Sequence, residues 1–161
     1  MQNKINIGLI GAGTVGGGTY KILKDNFSEI FSKTGKEIVV FALAEKDLNR
    51  AKEIVDDNTK IYEDAFDLIK DENIHIVVEL IGGTGISKDL VEEAIKNKKH
   101  VVTANKALIA MHGKELVNLA NKYNVNLAYE AAVAGGIPII KSLREGLVGN
   151  KIEWIVGILN G

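Results

Sequence analysis

One hexapeptide narrows the folds open to this chain more than anything else in it. Gly11-Ala12-Gly13-Thr14-Val15-Gly16 follows an apolar run at 5–10, which reads as a buried strand. After it, Val15, Thr19, Ile22, Leu23, Phe27 and Ile30 recur at helical spacing. A bare G-x-G-x-x-G is weak, because glycines are common, but at a strand-to-helix junction it has a mechanism. Gly11 permits a tight turn, Gly13 lets the backbone approach a diphosphate, and Gly16 lets helix and sheet pack closely. The N–H groups of the helix start then face the phosphates. Gly11, Ala12, Gly13, Thr14, Val15 and Gly16 are therefore a candidate dinucleotide cradle; the alternative is a structural turn without a ligand.

The alternation of strand and helix continues along the chain. Apolar, β-rich segments at 38–44, 61–62, 74–81, 101–102, 125–129 and 152–159 predict further strands. Between them, Asp47 is placed to cap a helix over 48–55, and Ala65, Leu68 and Ile69 form one face of a short helix. Ser87 is placed to cap a helix carrying Leu90, Val91, Ala94 and Ile95. A further helix is expected after Gly113, and another with Pro138 as its first residue. This order predicts a Rossmann-like, doubly wound α/β fold, a mostly parallel sheet with helices on both faces. Right-handed crossovers then gather the loops that follow the strands on one rim, where ligands bind.

The end of the second predicted strand reads two ways. Glu45 is placed to accept from a ribose 2′-OH, which favours NAD, and Lys46 to pair with a 2′-phosphate, which favours NADP. Both remain open, with dual use as the working reading. Lys plus Arg total 20 against 21 Asp plus Glu, so the charge balance gives no case for nucleic acid or an acidic membrane surface. The absence of cysteine excludes disulfides and thiolate chemistry from these residues and fits a reducing compartment. No apolar run approaches the roughly 20 residues that span a bilayer, so a cytoplasmic, membrane-free protein is expected. His75, His100 and His112 lack partners at metal-ligand spacing and read as structural or surface groups. Glu79, inside an apolar strand, is expected to be hydrogen-bonded near the rim, and Trp154 to lie in the core or an interface.

Four stretches go beyond a generic dinucleotide fold. They are Gly8 through Gly16, Val77-Val78-Glu79-Leu80-Ile81-Gly82-Gly83, His100-Val101-Val102-Thr103-Ala104-Asn105-Lys106-Ala107-Leu108, and Tyr129-Glu130-Ala131-Ala132-Val133-Ala134-Gly135-Gly136-Ile137-Pro138-Ile139. A fifth, Gly157-Ile158-Leu159-Asn160-Gly161, ends the sequence. In this order and spacing the series resembles homoserine dehydrogenases over essentially all 161 residues. The resemblance implies an oxidoreductase that interconverts L-homoserine and L-aspartate 4-semialdehyde with NAD(P)H, feeding threonine, methionine and isoleucine biosynthesis. It implies that Ile81, Gly82, Thr103, Ala104, Asn105 and Lys106 line the nicotinamide end, with Lys106 reaching the reacting centre. It implies a sodium site at the Glu130 side chain and the backbones of Val133, Gly135 and Ile137; the alternative for Glu130 is a carboxylate that bonds nearby backbone N–H groups.

Lys106 also has a physical case, since hydride addition to an aldehyde creates negative charge on oxygen that a fixed ammonium stabilises or protonates. Residues 1–161 are expected to form the NAD(P)-binding domain, with roughly 130–161 leading into the substrate and catalytic region of the family. On that reading these residues bind cofactor with little turnover, and the full-length enzyme is a homodimer. Competing readings are a self-standing NAD(P)-sensing module and aspartate semialdehyde dehydrogenase. The latter needs an acylating cysteine, and the Ala-Asn-Lys and Glu-Ala-Ala-Val-Ala-Gly-Gly stretches also count against it.

Overall fold

The computed structural model describes residues 3–158. Six strands, β1 (Lys4–Ile10), β2 (Glu37–Ala44), β3 (Lys60–Tyr62), β4 (Ile76–Glu79), β5 (His100–Thr103) and β6 (Leu127–Ala128), form one sheet in the order β3-β2-β1-β4-β5-β6. Every pairing is parallel. The connections carry α1 (Thr14–Asp25), α2 (Phe27–Thr34), α3 (Leu48–Ile54), α4 (Ala65–Lys70), α5 (Ile86–Lys96) and α6 (Lys106–Tyr123). The expected doubly wound architecture is the one observed.

The period of two in the strands builds both faces of the core. Ile7 and Leu9 of β1 pack with Leu43, Val78, Tyr20 of α1 and Ala51 of α3. Ile10 turns the other way and packs with Val77 and Val101 and with the buried faces of α4, α5 and α6. Leu9, Leu43, Leu68, Leu108 and Leu116 are fully buried, each contributing roughly 1.5–3 kcal/mol relative to an exposed position. Strand order reverses between β1 and β4, so a crevice opens at their carboxyl ends.

Several predicted boundaries move. The long first helix divides at Asn26, which leaves helical dihedrals (φ −101°, ψ 19°). Asp47 caps α3 as expected, accepting from the N–H groups of Asn49 and Arg50. Ser87 does not cap α5: Gly85 holds that position, and the Ser87 hydroxyl turns into the core. The helix expected after Gly113 begins at Lys106, because the Asn105 side chain accepts from Leu108 N–H and Leu108 anchors the first turn. That anchorage outweighs the roughly 1 kcal/mol that Gly113 costs a helix interior relative to Ala.

Past β6 the chain leaves the sheet through tight turns and the short α7 (Ile139–Lys141), for which Pro138 is the capping residue. Residues 152–158 form no strand, and Leu159 lies outside the described residues. Trp154 is 78% exposed, not part of this chain's core. No helix among the described residues is long and apolar enough to cross a membrane.

At the opposite edge Asp71 ties β3 to the end of α4. Its carboxylate accepts from the Lys60 ammonium, the Tyr62 hydroxyl and the N–H and side-chain amide of Asn73. Burial alone pushes the Asp71 carboxyl up, but those donors outweigh it and hold the group far below the ordinary carboxylate range. The Tyr62 hydroxyl, buried and facing that carboxylate, is pushed up to about 12. The unfolded chain therefore binds the Asp71 proton more tightly, so this stabilisation is present above about pH 4 and lost as pH falls. The Tyr62 contribution has the other sign, present below about pH 10 and lost towards 12. Asp71→Asn is expected to lower Tm at pH 7, with the gap to the parent narrowing progressively as pH falls below about 4 in thermal melts; parallel curves from pH 7 down to about pH 2 would refute the assignment.

Candidate functional site

The glycine loop leaves β1 at the point where strand order reverses. Gly11 takes φ +102° and donates its N–H to the Ala44 carbonyl at 3.0 Å, which fixes the turn against β2. Gly13 is the N-cap of α1 and offers no side chain to its first-turn N–H groups, and that turn has no acidic residue. The amide donors at the positive end of a twelve-residue helix thus lack a side-chain acceptor. A Cβ at Gly13 would meet only Arg50 Nη2, 3.9 Å away, so the space in front of the loop is open.

A crevice of about 810 Å³ runs from this loop between the ends of β2, β3 and β4, lined by Gly11, Glu45, Lys46, Tyr62, Ile81 and Leu90 among others. Its size suits a dinucleotide's adenosine half. A smaller groove of about 290 Å³ lies towards the amino ends of β1 and β2, away from every predicted site residue.

The structure brings most of the predicted residues to one rim but gives several of them different work. Glu45 Oε2 accepts from Ala12 N–H at 2.9 Å, and Oε1 from Asp47 N–H at 3.2 Å. It braces the glycine loop as well as facing the crevice. Lys46 lines the same wall. Ile81 is 42% exposed at the far lip, with its Cγ2 close enough to Gly11 that a Cβ there would lie 2.8 Å away. Gly82 and Gly83 follow in left-handed conformations (φ +76° and +77°).

Thr103 and Asn105 are buried and spend their side chains inside the protein. The Thr103 hydroxyl donates to Glu79 at 2.6 Å; Asn105 donates its amide to the Gly83 carbonyl at 2.6 Å and caps α6. Of that stretch Lys106 is exposed and Ala104 half-buried. Lys106 is the first residue of α6, and among the described residues its ammonium has no ion-pair or hydrogen-bond partner.

Two contributors escaped the sequence reading. Arg50, beside Gly13, has no ion pair among the described residues; its place in the first turn of α3, the helix that follows β2, is the signal that could have found it. The depth of the Glu79 network is the other, since three of its members come from separate segments.

Glu130 bonds nearby backbone N–H groups in this structure. Its oxygens accept from Ile140 N–H and Lys141 N–H, both at 2.8 Å, while the Val133 and Ile137 carbonyls accept from Gly136 and Ile139. In this structure the carboxylate faces N–H dipoles, and the Val133 and Ile137 carbonyls each accept one backbone hydrogen bond. No group of three or more His, Cys, Asp or Glu side chains that could hold a metal occurs among the described residues. His75 and His100 accept from the backbone N–H groups of Asn6 and Asn126, the structural role expected.

Residues 11–130 match the family model described as homoserine dehydrogenase, NAD binding domain. The homoserine dehydrogenase of Neisseria gonorrhoeae is 50% identical over 98% of this chain, and that of Pseudomonas aeruginosa is 48% identical over the same share; each match covers 36% of the relative. The crystal structure of a homoserine dehydrogenase from Thiobacillus denitrificans superposes with a TM-score of 0.86 at 49% identity, over 94% of this chain and 35% of that one. A hyperthermophilic archaeal homoserine dehydrogenase in complex with NADPH superposes at 0.74 with 28% identity, over 91% of this chain and half of that one. The chain spans about a third of the length of the curated relatives it matches.

Proposed function

This chain belongs to the homoserine dehydrogenase family as its NAD-binding part, and on that premise we propose that it holds NAD or NADP along the rim for the interconversion of L-homoserine and L-aspartate 4-semialdehyde. The observation that carries the reading is the glycine loop, whose amide donors stand at a helix start without side-chain acceptors, facing open space. A diphosphate supplies the acceptors that loop lacks. The archaeal relative was solved with NADPH, which supports a phosphorylated cofactor among those this fold accepts.

When bound, the nicotinamide gives or takes the hydride. The chain's own residues do the rest. Ile81, Gly82 and Gly83 form the lip that would hold the nicotinamide end. Lys106 directs its ammonium at the carbonyl oxygen of the semialdehyde, stabilising the charge that develops there and supplying the proton that makes the alcohol. The region that holds homoserine belongs to the length of the relatives that this chain does not span. A cytoplasmic homodimer is the setting we assign to the whole enzyme.

Calorimetric titration with both cofactors tests the reading. Lys46→Ala is expected to weaken NADP about fivefold to tenfold and leave NAD within twofold, because only NADP carries a 2′-phosphate. Glu45→Ala is expected to weaken both, because the Ala12 N–H loses its brace. Failure of both dinucleotides to bind at millimolar concentration would overturn the cofactor reading. Equal losses of NAD and NADP in Lys46→Ala would remove that lysine from the 2′ position.

A further inference from the structure

Glu79 is the last residue of β4 and is fully buried, yet among the described residues no lysine or arginine pairs with it. Donors from three segments converge on it instead. Oε1 accepts from Ile81 N–H and Gly82 N–H at 3.1 Å and lies 3.2 Å from the Ser87 hydroxyl, whose one proton it shares with the Gly82 carbonyl at 2.7 Å. Oε2 accepts from the Thr103 hydroxyl at 2.6 Å, on the neighbouring strand.

The linkage continues beyond the carboxylate. Thr103 Oγ accepts from Asn105 N–H at 3.0 Å, and Asn105 then reaches back to the Gly83 carbonyl and forward to Leu108 N–H in the first turn of α6. One side chain thereby joins the turn after β4 to the turn after β5.

Satisfying the Ile81 and Gly82 N–H groups does not account for this. Both residues are exposed, so water would serve those donors, whereas burying a carboxylate is costly unless it is fully hydrogen-bonded. A Cβ at Gly82 or Gly83 would meet nothing within 4 Å, so the turn is held by hydrogen bonds rather than packing: the Ser87 hydroxyl on the Gly82 carbonyl, the Asn105 amide on the Gly83 carbonyl and the Glu79 carboxylate on the Ile81 and Gly82 N–H groups. Within that set Glu79 is the side chain whose two oxygens bond both segments at once, Oε1 the turn after β4 and Oε2 the end of β5, and so set the spacing between them beside the Asn105–Gly83 bond.

We propose that Glu79 is a positioning residue that fixes the Ile81–Gly83 lip relative to the Thr103–Lys106 segment, so that the nicotinamide end of the cofactor meets a preformed wall. It rests on the cofactor reading above and deepens it. Glu79 does not touch the cofactor; it acts through the two loops it joins, and its loss is felt at one end of the ligand only.

The test compares two ligands on the whole chain by calorimetry. One is the reduced dinucleotide that the unsubstituted chain binds more tightly, and the other is its counterpart without nicotinamide, ADP-ribose or 2′-phospho-ADP-ribose. The unsubstituted chain is expected to prefer the dinucleotide by about tenfold or more. Glu79→Gln, which replaces an acceptor oxygen with a donor facing donors, is expected to bring that ratio close to one while the nicotinamide-free ligand stays within twofold. Thr103→Val cuts the same bridge with a nearly isosteric side chain, and it is expected to narrow the ratio in the same direction if Glu79→Gln does not fold. A ratio unchanged in the variants, a parallel loss of both ligands, or no preference in the unsubstituted chain would overturn the inference. Absence of binding by either ligand overturns the cofactor reading, and this inference falls with it.

Discussion

Gly16→Ala is expected to abolish dinucleotide binding, by more than a hundredfold, and to destabilise the fold by about 3 kcal/mol, the upper range for forcing an atom into a packed site. The new methyl would overlap the Gly11 carbonyl oxygen and press on its carbon. Neither is the yielding end of a side chain; both belong to the turn that fixes β1 against β2 through Gly11 N–H and the Ala44 carbonyl. The loop must open or α1 must move, and either shift misplaces the amide donors.

Gly13→Ala makes the instructive contrast. Gly13 has φ −69°, which alanine adopts freely, and its built Cβ has only the Arg50 tip at 3.9 Å. Its Tm is expected to stay within about 3 °C of the parent, a change of at most about 1 kcal/mol, while affinity falls as far as in Gly16→Ala. Thermal melts and titrations of the two variants therefore separate space kept for packing from space kept for ligand. Binding by Gly13→Ala within threefold of the parent would place the diphosphate elsewhere.

That contrast also marks what could be read from the sequence. The pattern Gly11 to Gly16 placed the turn and the ligand side, because a strand and a helix on either side of it leave few other uses for those glycines. Period-two and helical spacing placed β1, β2 and the buried face of α5, since Leu90, Val91, Ala94 and Ile95 have no other reason to recur as they do.

The errors have local causes. Ser87 reads as a cap because a serine before an apolar helix ordinarily is one; here a buried carboxylate on β4 competes for its hydroxyl. Gly113 reads as a helix boundary because propensity is local, whereas Leu108 and Leu116 on either side of it are buried by tertiary packing. Residues 152–158 have strand composition but find no partner strand among the described residues. Glu45 was legible as a crevice residue, but its bond to Ala12 N–H required two loops 33 residues apart to be brought together.

Lys106 carries the largest expected effect on turnover. In a chain extended to the length of its relatives, Lys106→Ala is expected to lower kcat about 10²–10³-fold, the usual loss on removing one group that stabilises a developing oxyanion. Cofactor affinity should change less than threefold, because the diphosphate is held at Gly11 to Gly16. The structure gives a reason beyond resemblance for expecting catalysis from this residue. A cation in the first turn of an 18-residue helix opposes the helix dipole, at roughly 0.3–1 kcal/mol. A neighbouring carboxylate would relieve that, yet the ammonium has no such partner among the described residues.

The charge is therefore kept exposed where it is unfavourable for the helix, at the start of α6 on the rim that carries the glycine loop. On the proposed reading, an oxyanion formed there would gain from the ammonium, so an arrangement that costs the free protein would favour the transition state. Lys106→Arg keeps the charge in a broader, less acidic group and is expected to recover only part of the rate. A kcat for Lys106→Ala within threefold of the parent would show that the unfavourable charge serves something other than the reaction.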